Sequence, residues 1–386
     1  MAEYQNFIEI VILICIFLLI NAFILYPLVL AIFSKFFKKP IRFSNNFQPE
    51  ISVIIAAYNE ERLIKDAIIS IYESDYPKEL INVFVGSDGS TDKTVEIVKE
   101  LQKIYNNLFC YEFERSGKNY VLNQLVPKAN TEIIFYMDAD IRIERRTISQ
   151  LTKILSDSTI GGVIASMLSI DVNKNNNLGR QGETGYQTYE KYLRIYESQI
   201  SSTINSLGAF YGIKKKYYKP IPNELVCDDL YPLYQVIINN KRVVFNDKTI
   251  VKEVREKSLN IEFSRRVRVA AGGLSTVWAC REILSPKYGW VSFFVWNHKI
   301  LRWFSPVFLI IIAVGTVFLN PNSYLYLPLI ILQVILYCGA ILGWLLEKIK
   351  INFVFFKALL FIVSMNIGFL FGILRFITKK QNARWG

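Results

Sequence analysis

The residues best suited to chemistry in this chain are acidic. Ile133-Ile134-Phe135-Tyr136-Met137 is an apolar run that stops on Asp138-Ala139-Asp140. A buried strand that delivers such a pair at its C-terminal end can hold Mg²⁺ or Mn²⁺ against a diphosphate, because hard divalent cations prefer carboxylate oxygen. Alone, the pair is also what a turn after a strand would use. Other polar clusters follow apolar runs in the same way: Tyr58-Asn59-Glu60, Ser87-Asp88-Gly89-Ser90-Thr91-Asp92, Gly117-Lys118 and Asp228-Asp229. The last opens a helical pattern, so capping competes with catalysis there. His298 is the single histidine, and Cys15, Cys110, Cys227, Cys280 and Cys338 show no paired spacing. Catalysis by a histidine base or a His-ligated metal is thereby close to excluded, and His298 reads as a polar residue of an interfacial stretch. The cysteines fit a reducing compartment with no disulfide frame or zinc site.

The elements that must position these residues alternate in type. Ile51 to Ala57, Ile81 to Val85, Leu108 to Phe113 and Ile133 to Met137 read as strands, and helical patterns over Glu60 to Tyr72, Lys93 to Tyr105 and Gly117 to Val126 separate them. That order predicts βαβ units and a mostly parallel, doubly wound sheet whose ligands bind beyond the strands' carboxyl ends. The order is less regular from Gly161 onward, with a strand near Val163 to Leu168 and a helix over Tyr186 to Ser206, broken at Gly208-Ala209-Phe210-Tyr211-Gly212.

With 386 residues, 52% hydrophobic and 14% aromatic, the chain fills one large core and has apolar segments left over at both ends. Ile8 to Phe33 carries no formal charge except Glu9, long enough to cross a hydrocarbon layer of about 30 Å. Lys35, Lys38, Lys39 and Arg42 follow, which places residue 35 onward in the cytoplasm and favours a retained anchor over a cleaved signal peptide. Three further apolar segments, Phe304 to Leu319, Leu325 to Leu346 and Ile351 to Ile377, close the chain. Three full crossings would leave Lys379, Lys380 and Arg384 outside, against the same rule. So the first segment is shallow, or the last is re-entrant at Asn366 and Gly368, or the tail is external. Trp290 to Trp303 mixes aromatic, basic and apolar residues as an interfacial helix does. The expected organisation is a transmembrane anchor over 1–34, a cytoplasmic α/β domain over 45–284, an interfacial amphipathic helix over 288–303 and transmembrane helices over 304–378. A net charge of +12 suits anionic lipid and phosphorylated substrates, and no nucleic-acid-binding pattern accompanies it.

These motifs resemble those of membrane-bound family-2 glycosyltransferases of the GT-A fold, the superfamily of cellulose, hyaluronan and poly-N-acetylglucosamine synthases. The resemblance covers residues 45–303 by motif and the remainder by membrane layout. It implies that Tyr58 and Glu60 flank a nucleotide base, that Asp88 binds the base, and that Lys118, in Gly117-Lys118 through Leu122-Asn123, faces nucleotide or phosphate. Asp138 would then contact the nucleoside and Asp140 the Mg²⁺ or Mn²⁺ ion. Gly208-Ala209-Phe210-Tyr211, with Asp228, would lie beside the acceptor; Gly208 and Tyr211 are the residues of interest there, a packed aromatic being the competing reading of Tyr211. Asp229 is the implied catalytic base. The family's Gln-x-x-Arg-Trp motif appears as Arg265-Arg266-Val267-Arg268-Val269, so Arg268 would grip the diphosphate while Val269 lacks the acceptor-stacking ring. That loss weakens the case for processive elongation and leaves donor binding untouched.

The implied reaction is inverting transfer from a nucleotide-diphosphate sugar, a UDP-sugar by resemblance, to a saccharide acceptor in cell-surface polysaccharide synthesis at the plasma membrane. Single-sugar transfer to a lipid acceptor, of polyprenyl phosphate or ceramide type, is the alternative. A nucleotide-sensing or scaffolding module with vestigial carboxylates is the non-enzymatic one. Four apolar segments are few for a self-contained polysaccharide conduit, which points to a partner protein for export or to a short product.

Overall fold

The computed structural model describes residues 2–44, 46–171, 180–255, 259–349, 351 and 353–379. The chain opens with a long apolar helix in three parts: α1 (Ala2–Ile20), a π turn over Asn21–Leu25, and α2 (Tyr26–Phe36). Pro27 has no N–H to give Phe23, and the ladder loosens into the π turn just before it.

A regular half-sheet follows. It runs β1 (Ile51–Ala57), α3 (Ile64–Tyr72), β2 (Ile81–Asp88), α4 (Thr94–Gln102), β3 (Leu108–Phe113), α5 (Lys118–Leu125) and β4 (Ile133–Asp138). The four strands lie in the order β3-β2-β1-β4, all parallel. They are apolar nearly throughout because both faces are covered. Ile64, Ala67, Ile68, Ile71 and Val98 of α3 and α4 pack on one side, and Val121, Leu122 and Leu125 of α5 on the other. Register pairs Ala56 with both Gly86 and Asp138, so the three strand ends stop level with one another. Tyr58, Asp88 and Asp138 thus emerge along one edge.

Beyond β4 the sheet becomes mixed. The chain continues through β5 (Ile141–Ile143), α6 (Thr147–Leu155), β6 (Ile160–Asp171), α7 (Arg180–Ile200), β7 (Phe210–Lys214), α8 (Leu230–Ile238), β8 (Arg242–Arg255) and α9 (Leu259–Ala279). The strand order extends from β4 as β7-β6-β8-β5, with β7 antiparallel to β4 and β6, and β8 parallel to β6. The helix expected over Tyr186 to Ser206 ends at Ile200. The expected break at 208–212 is a turn only at its start; Phe210–Lys214 inserts as a strand beside β4, stacking Phe210 on Phe135 at 5.2 Å and Tyr211 on Tyr136 at 4.8 Å.

The segment over 290–303 forms α10 (Trp290–Phe294), a π turn (Val295–Ile300) and α11 (Leu301–Trp303), then bends by 53° into α12 (Ser305–Phe318). Its polar residues are buried rather than surface-lying: Asn297, His298, Lys299 and Arg302 pack between α7 and the N-terminal π turn. The reading of His298 as an interfacial polar residue is therefore corrected. It bridges two carboxylates, Nδ1 lying 2.5 Å from Glu197 and Nε2 2.9 Å from Glu190. The chain ends in α13 (Tyr326–Lys348) and α14 (Val354–Ile377). Among the described residues, three helices, Glu3–Phe36, Tyr326–Lys348 and Val354–Ile377, are long and apolar enough to cross a membrane, or four if the bent pair counts as one span. No re-entrant break occurs in α14, where Asn366 accepts from Ser305 and Gly372 allows close packing on Ala270 of α9. Lys380 and Arg384 lie outside the described residues.

Candidate active site

A cavity of about 1750 Å³ opens at the ends of β1 and β4 and reaches α7, α9 and α14. Glu60, Lys118, Asp138, Asp140, Asp228, Asp229, Gly208 and Arg268 all line it, so the structure brings together eight of the residues singled out by sequence. Lys118 ties two elements: its Nζ lies 2.6 Å from Asp138 on β4 and 2.7 Å from Asp228 before α8. Burial opposes this ammonium, but the two carboxylates outweigh it and raise its pKa. Gly208, at φ +77°, closes the triangle. A Cβ there would sit 3.4 Å from Asp229 Oδ2 and 4.0 Å from Asp138 Oδ2, so Asp138 and Asp229 face each other across it.

Asp229 precedes α8 but makes no capping hydrogen bond, which removes the competing explanation for a carboxylate at that position. Burial and the neighbouring Asp228 push its pKa up to about 6, with Lys118 and the Ser206 hydroxyl opposing. A carboxylate poised there can accept a proton near neutral pH. Asp140 is pushed up to about 7 by burial, then by Asp138, Glu253 and Glu60, and Glu60 itself is raised to about 7 by burial with Asp138 and Asp92.

Among the described residues, no three His, Cys, Asp or Glu side chains form a metal cage. The donor set nonetheless fits a divalent ion that takes most ligands from diphosphate and water, as Mg²⁺ does. Asp140 supplies a half-buried carboxylate crowded by Asp138, Glu253 and Glu60, and a cation would relieve that crowding.

The donor-side loops are held by their own motif residues. Asn59, at φ +55°, accepts from the Thr91 backbone at 2.9 Å, and Glu60 N donates to Thr94 at 2.8 Å. Asp88 is fully buried and accepts from Arg115 at 2.8 Å, Ser116 N at 2.7 Å and Gly117 N at 2.9 Å. It orients the start of α5, and hence Lys118. The Arg115 guanidinium lies 3.2 Å from the centre of the Tyr58 ring. Tyr58 and Asp88 thus sit beside the cavity and not on its wall.

One acceptor-side expectation is corrected. Tyr211 is 1% exposed, stacks on Tyr136 beneath the site and is absent from the cavity wall, because β7 turns it into the core. The sequence reading missed Glu253, Arg115, Asn205 and Lys299. Glu253 lies on β8, a strand whose charged residues hid it. Asn205 and Lys299 meet only through folding, Lys299 Nζ donating to Asn205 at 2.6 Å.

Residues 52–219 match the family model for glycosyl transferase family 2. The poly-β-1,6-N-acetyl-D-glucosamine synthase of Staphylococcus aureus is 21% identical over 271 residues, which is 66% of this chain and 65% of that protein. The chain thus matches just under two thirds of that relative's length. The β-monoglucosyldiacylglycerol synthase of a Nostoc species is 28% identical over 182 residues, 46% of this chain and 38% of that one. A mannosyltransferase from Pyrobaculum calidifontis, solved with GDP-Man and Mn²⁺, superimposes with a TM-score of 0.72 at 21% identity, over 96% of this chain and 100% of that one. A shared fold over nearly the whole length, with a family signature on the very strands that end in the acidic cluster, leads to one assignment: residues 52–219 are a glycosyl transferase family 2 segment, and the chain has the GT-A fold.

Proposed function

We propose that the protein is an inverting, metal-dependent hexosyltransferase that moves a sugar from a nucleotide diphosphate sugar, a UDP-sugar by family likeness, to a saccharide acceptor at the cytoplasmic face of the plasma membrane. The observation that supports this best is the meeting of Asp138, Asp229 and Lys118 around Gly208, with Asp140 in the same cavity. In a single displacement the base and the leaving group must lie on opposite sides of the anomeric carbon, and Asp229 faces the Asp138 end of β4 across Gly208. Asp229 takes the acceptor hydroxyl's proton. Lys118 and Arg268 meet the negative charge of the donor, and Glu60 helps shape the donor end. A divalent ion held by Asp140 would neutralise the departing diphosphate. The curated relatives, a polysaccharide synthase and a glycolipid synthase, accord with either a polymeric or a lipid product. Product length on an acrylamide gel separates the two.

The test uses the purified full chain, Mn²⁺ and several radiolabelled nucleotide sugars, with a chelator control. Transfer should require the metal and vanish in Asp140→Asn and Asp229→Asn. Full transfer by either variant would remove the assignment.

A further inference from the structure

The loop between α7 and β7 carries Gly208, against which Asp229 sits, and its first residues are held from two directions. Glu197, near the end of α7, accepts from Thr203 Oγ1 at 3.0 Å and from the Ile204 backbone at 3.2 Å. The next side chain, Asn205, makes two bonds of opposite sense. Its Nδ2 donates to Glu190 Oε2 at 2.9 Å, and its Oδ1 accepts from Lys299 Nζ at 2.6 Å. Glu190 lies on α7 and Lys299 on the π turn over Val295–Ile300, so one amide joins the α/β domain to the segment that runs into α12. Both charged partners are buried, 7% and 6% exposed, where a hydrogen bond to an ion is strong and its loss is costly. A carboxylate at 205 would repel Glu190 and an aliphatic side chain would serve neither partner, whereas an amide serves both.

The residues that follow turn onto the candidate base. Ser206 Oγ accepts from Gly208 N at 3.1 Å, which closes the turn. At Gly208, where φ is +77°, a Cβ would sit 3.4 Å from Asp229 Oδ2. With its oxygen taken by the Gly208 amide, the Ser206 hydroxyl still has its proton to give, and it favours the ionised form of Asp229. Glu190, Lys299, Asn205, Ser206, Gly208 and Asp229 all line the same cavity.

We propose that Asn205 is a positioning residue for Asp229: clamped between Glu190 and Lys299, it fixes the turn over 206–208, and through the Ser206 hydroxyl that turn aims the base at the acceptor. The same clamp makes the aim depend on how the segment over 295–303 is seated. Asn297 of that segment binds Asn21 of the leading helix, and its Arg302 binds Glu190. The inference rests on the transferase reading above and adds the residues that hold its base.

Transfer of radiolabelled sugar by the full chain in native membranes, normalised to the amount of chain and read as kcat and donor KM, tests it. Asn205→Leu should lower kcat by about tenfold and leave donor KM within about twofold, since a displaced base costs rate and the donor wall is untouched. Ser206→Thr should keep kcat within about twofold, whereas Ser206→Val, of the same shape without the hydroxyl, should lose about tenfold. Because Asn205 acts through the turn, the Asn205→Leu/Ser206→Val double variant should be about as slow as the slower single one. Losses that multiply to about a hundredfold would leave Asn205 a merely structural residue and overturn the proposal. So would an unchanged kcat in Asn205→Leu, or a loss confined to donor KM. If Asn205→Leu does not fold, the Ser206 pair decides, and equal rates for Thr and Val sink the inference. Full transfer by Asp229→Asn would remove the base, and this inference with it. Transfer lost in Asp229→Asn but intact in Asn205→Leu and Ser206→Val sinks this inference alone.

Discussion

Two groups of carboxylates in this molecule, one buried on α7 and one half-buried at the strand ends, have opposite surroundings. Glu190 and Glu197 on α7 are saturated with partners: His298 joins both, Arg302 and Asn205 bind Glu190, and Tyr26, Thr203 and the Ile204 backbone bind Glu197. Burial works against their charge, yet His298 and the other donors hold both below the usual carboxylate range. Asp140 and Glu60 are pushed up instead, first by burial and then by the other carboxylates beside them. Charge that the fold satisfies by itself is structural. Charge left wanting a cation awaits one, and that contrast separates the joint between the apolar helices and the α/β domain from the candidate active site.

Removing a partner from the satisfied group should produce the largest change. Glu197→Leu leaves His298, Tyr26 and Thr203 without their acceptor and should cost about 3–5 kcal/mol, read as a lower thermal unfolding temperature in detergent. An unchanged transition would break the comparison. In the unsatisfied group, neutralising substitutions should spare the fold and abolish the chemistry. Asp229→Asn and Asp140→Asn are expected to slow transfer by about 10²–10³-fold, as loss of a proton acceptor or of a key electrostatic contact does. Gly208→Ala tests the geometry between the two sides of that site. Its positive φ costs an L residue about 1–2 kcal/mol, and relief of that strain would shift the backbone against which Asp229 sits, so turnover should fall by about tenfold while donor affinity changes less. The smallest effect is one of pH. Asp140 and Glu60 titrate near 7 in the folded chain, above their unfolded values of about 4, so the stability they contribute is full below about pH 4 and is lost as pH rises through 7. In chelator, the unfolding temperature should decline by a few degrees over that window; Mn²⁺ should restore it above pH 7, and Asp140→Asn should flatten the slope. A slope unaffected by Mn²⁺ would mean that the acidic cluster does not hold a cation.

The unsatisfied group was legible in sequence and the satisfied group was not. β1 and β4 are short apolar runs that stop abruptly on polar residues, and parallel pairing of level strands leaves those residues little choice of where to meet. Lys118 and Asp229 belong to local motifs with a resemblance to support them. β8 escaped notice because Asp247, Lys248, Lys252 and Glu253 interrupt its apolar pattern, and its partner β6 lies some eighty residues earlier. Tyr211 misled for the opposite reason: its neighbours read as a turn, and only the insertion of β7 beside β4 shows which way the ring points. His298 sits among aromatic and basic residues that read as a lipid interface. A signal was available on its partner helix, where Glu190, Arg194 and Glu197 recur at helical spacing on one face and so call for cations from elsewhere in the chain.

The π turn in the first helix matters for how this enzyme can be handled. Pro27 cannot close the ladder onto Phe23, and the loosened carbonyls of Ala22 and Phe23 accept instead from Arg302 and Tyr189, while Asn21 binds Asn297 and Tyr26 binds Glu197. The leading helix is thus a wall of the α/β domain as much as a candidate membrane span. A clone trimmed to begin at residue 37, attractive for crystallisation without detergent, would lay bare Glu197 and His298 and discard four clasps, two onto α7 and two onto the segment over 295–303. Constructive biochemistry on this enzyme has to retain its leading apolar helix.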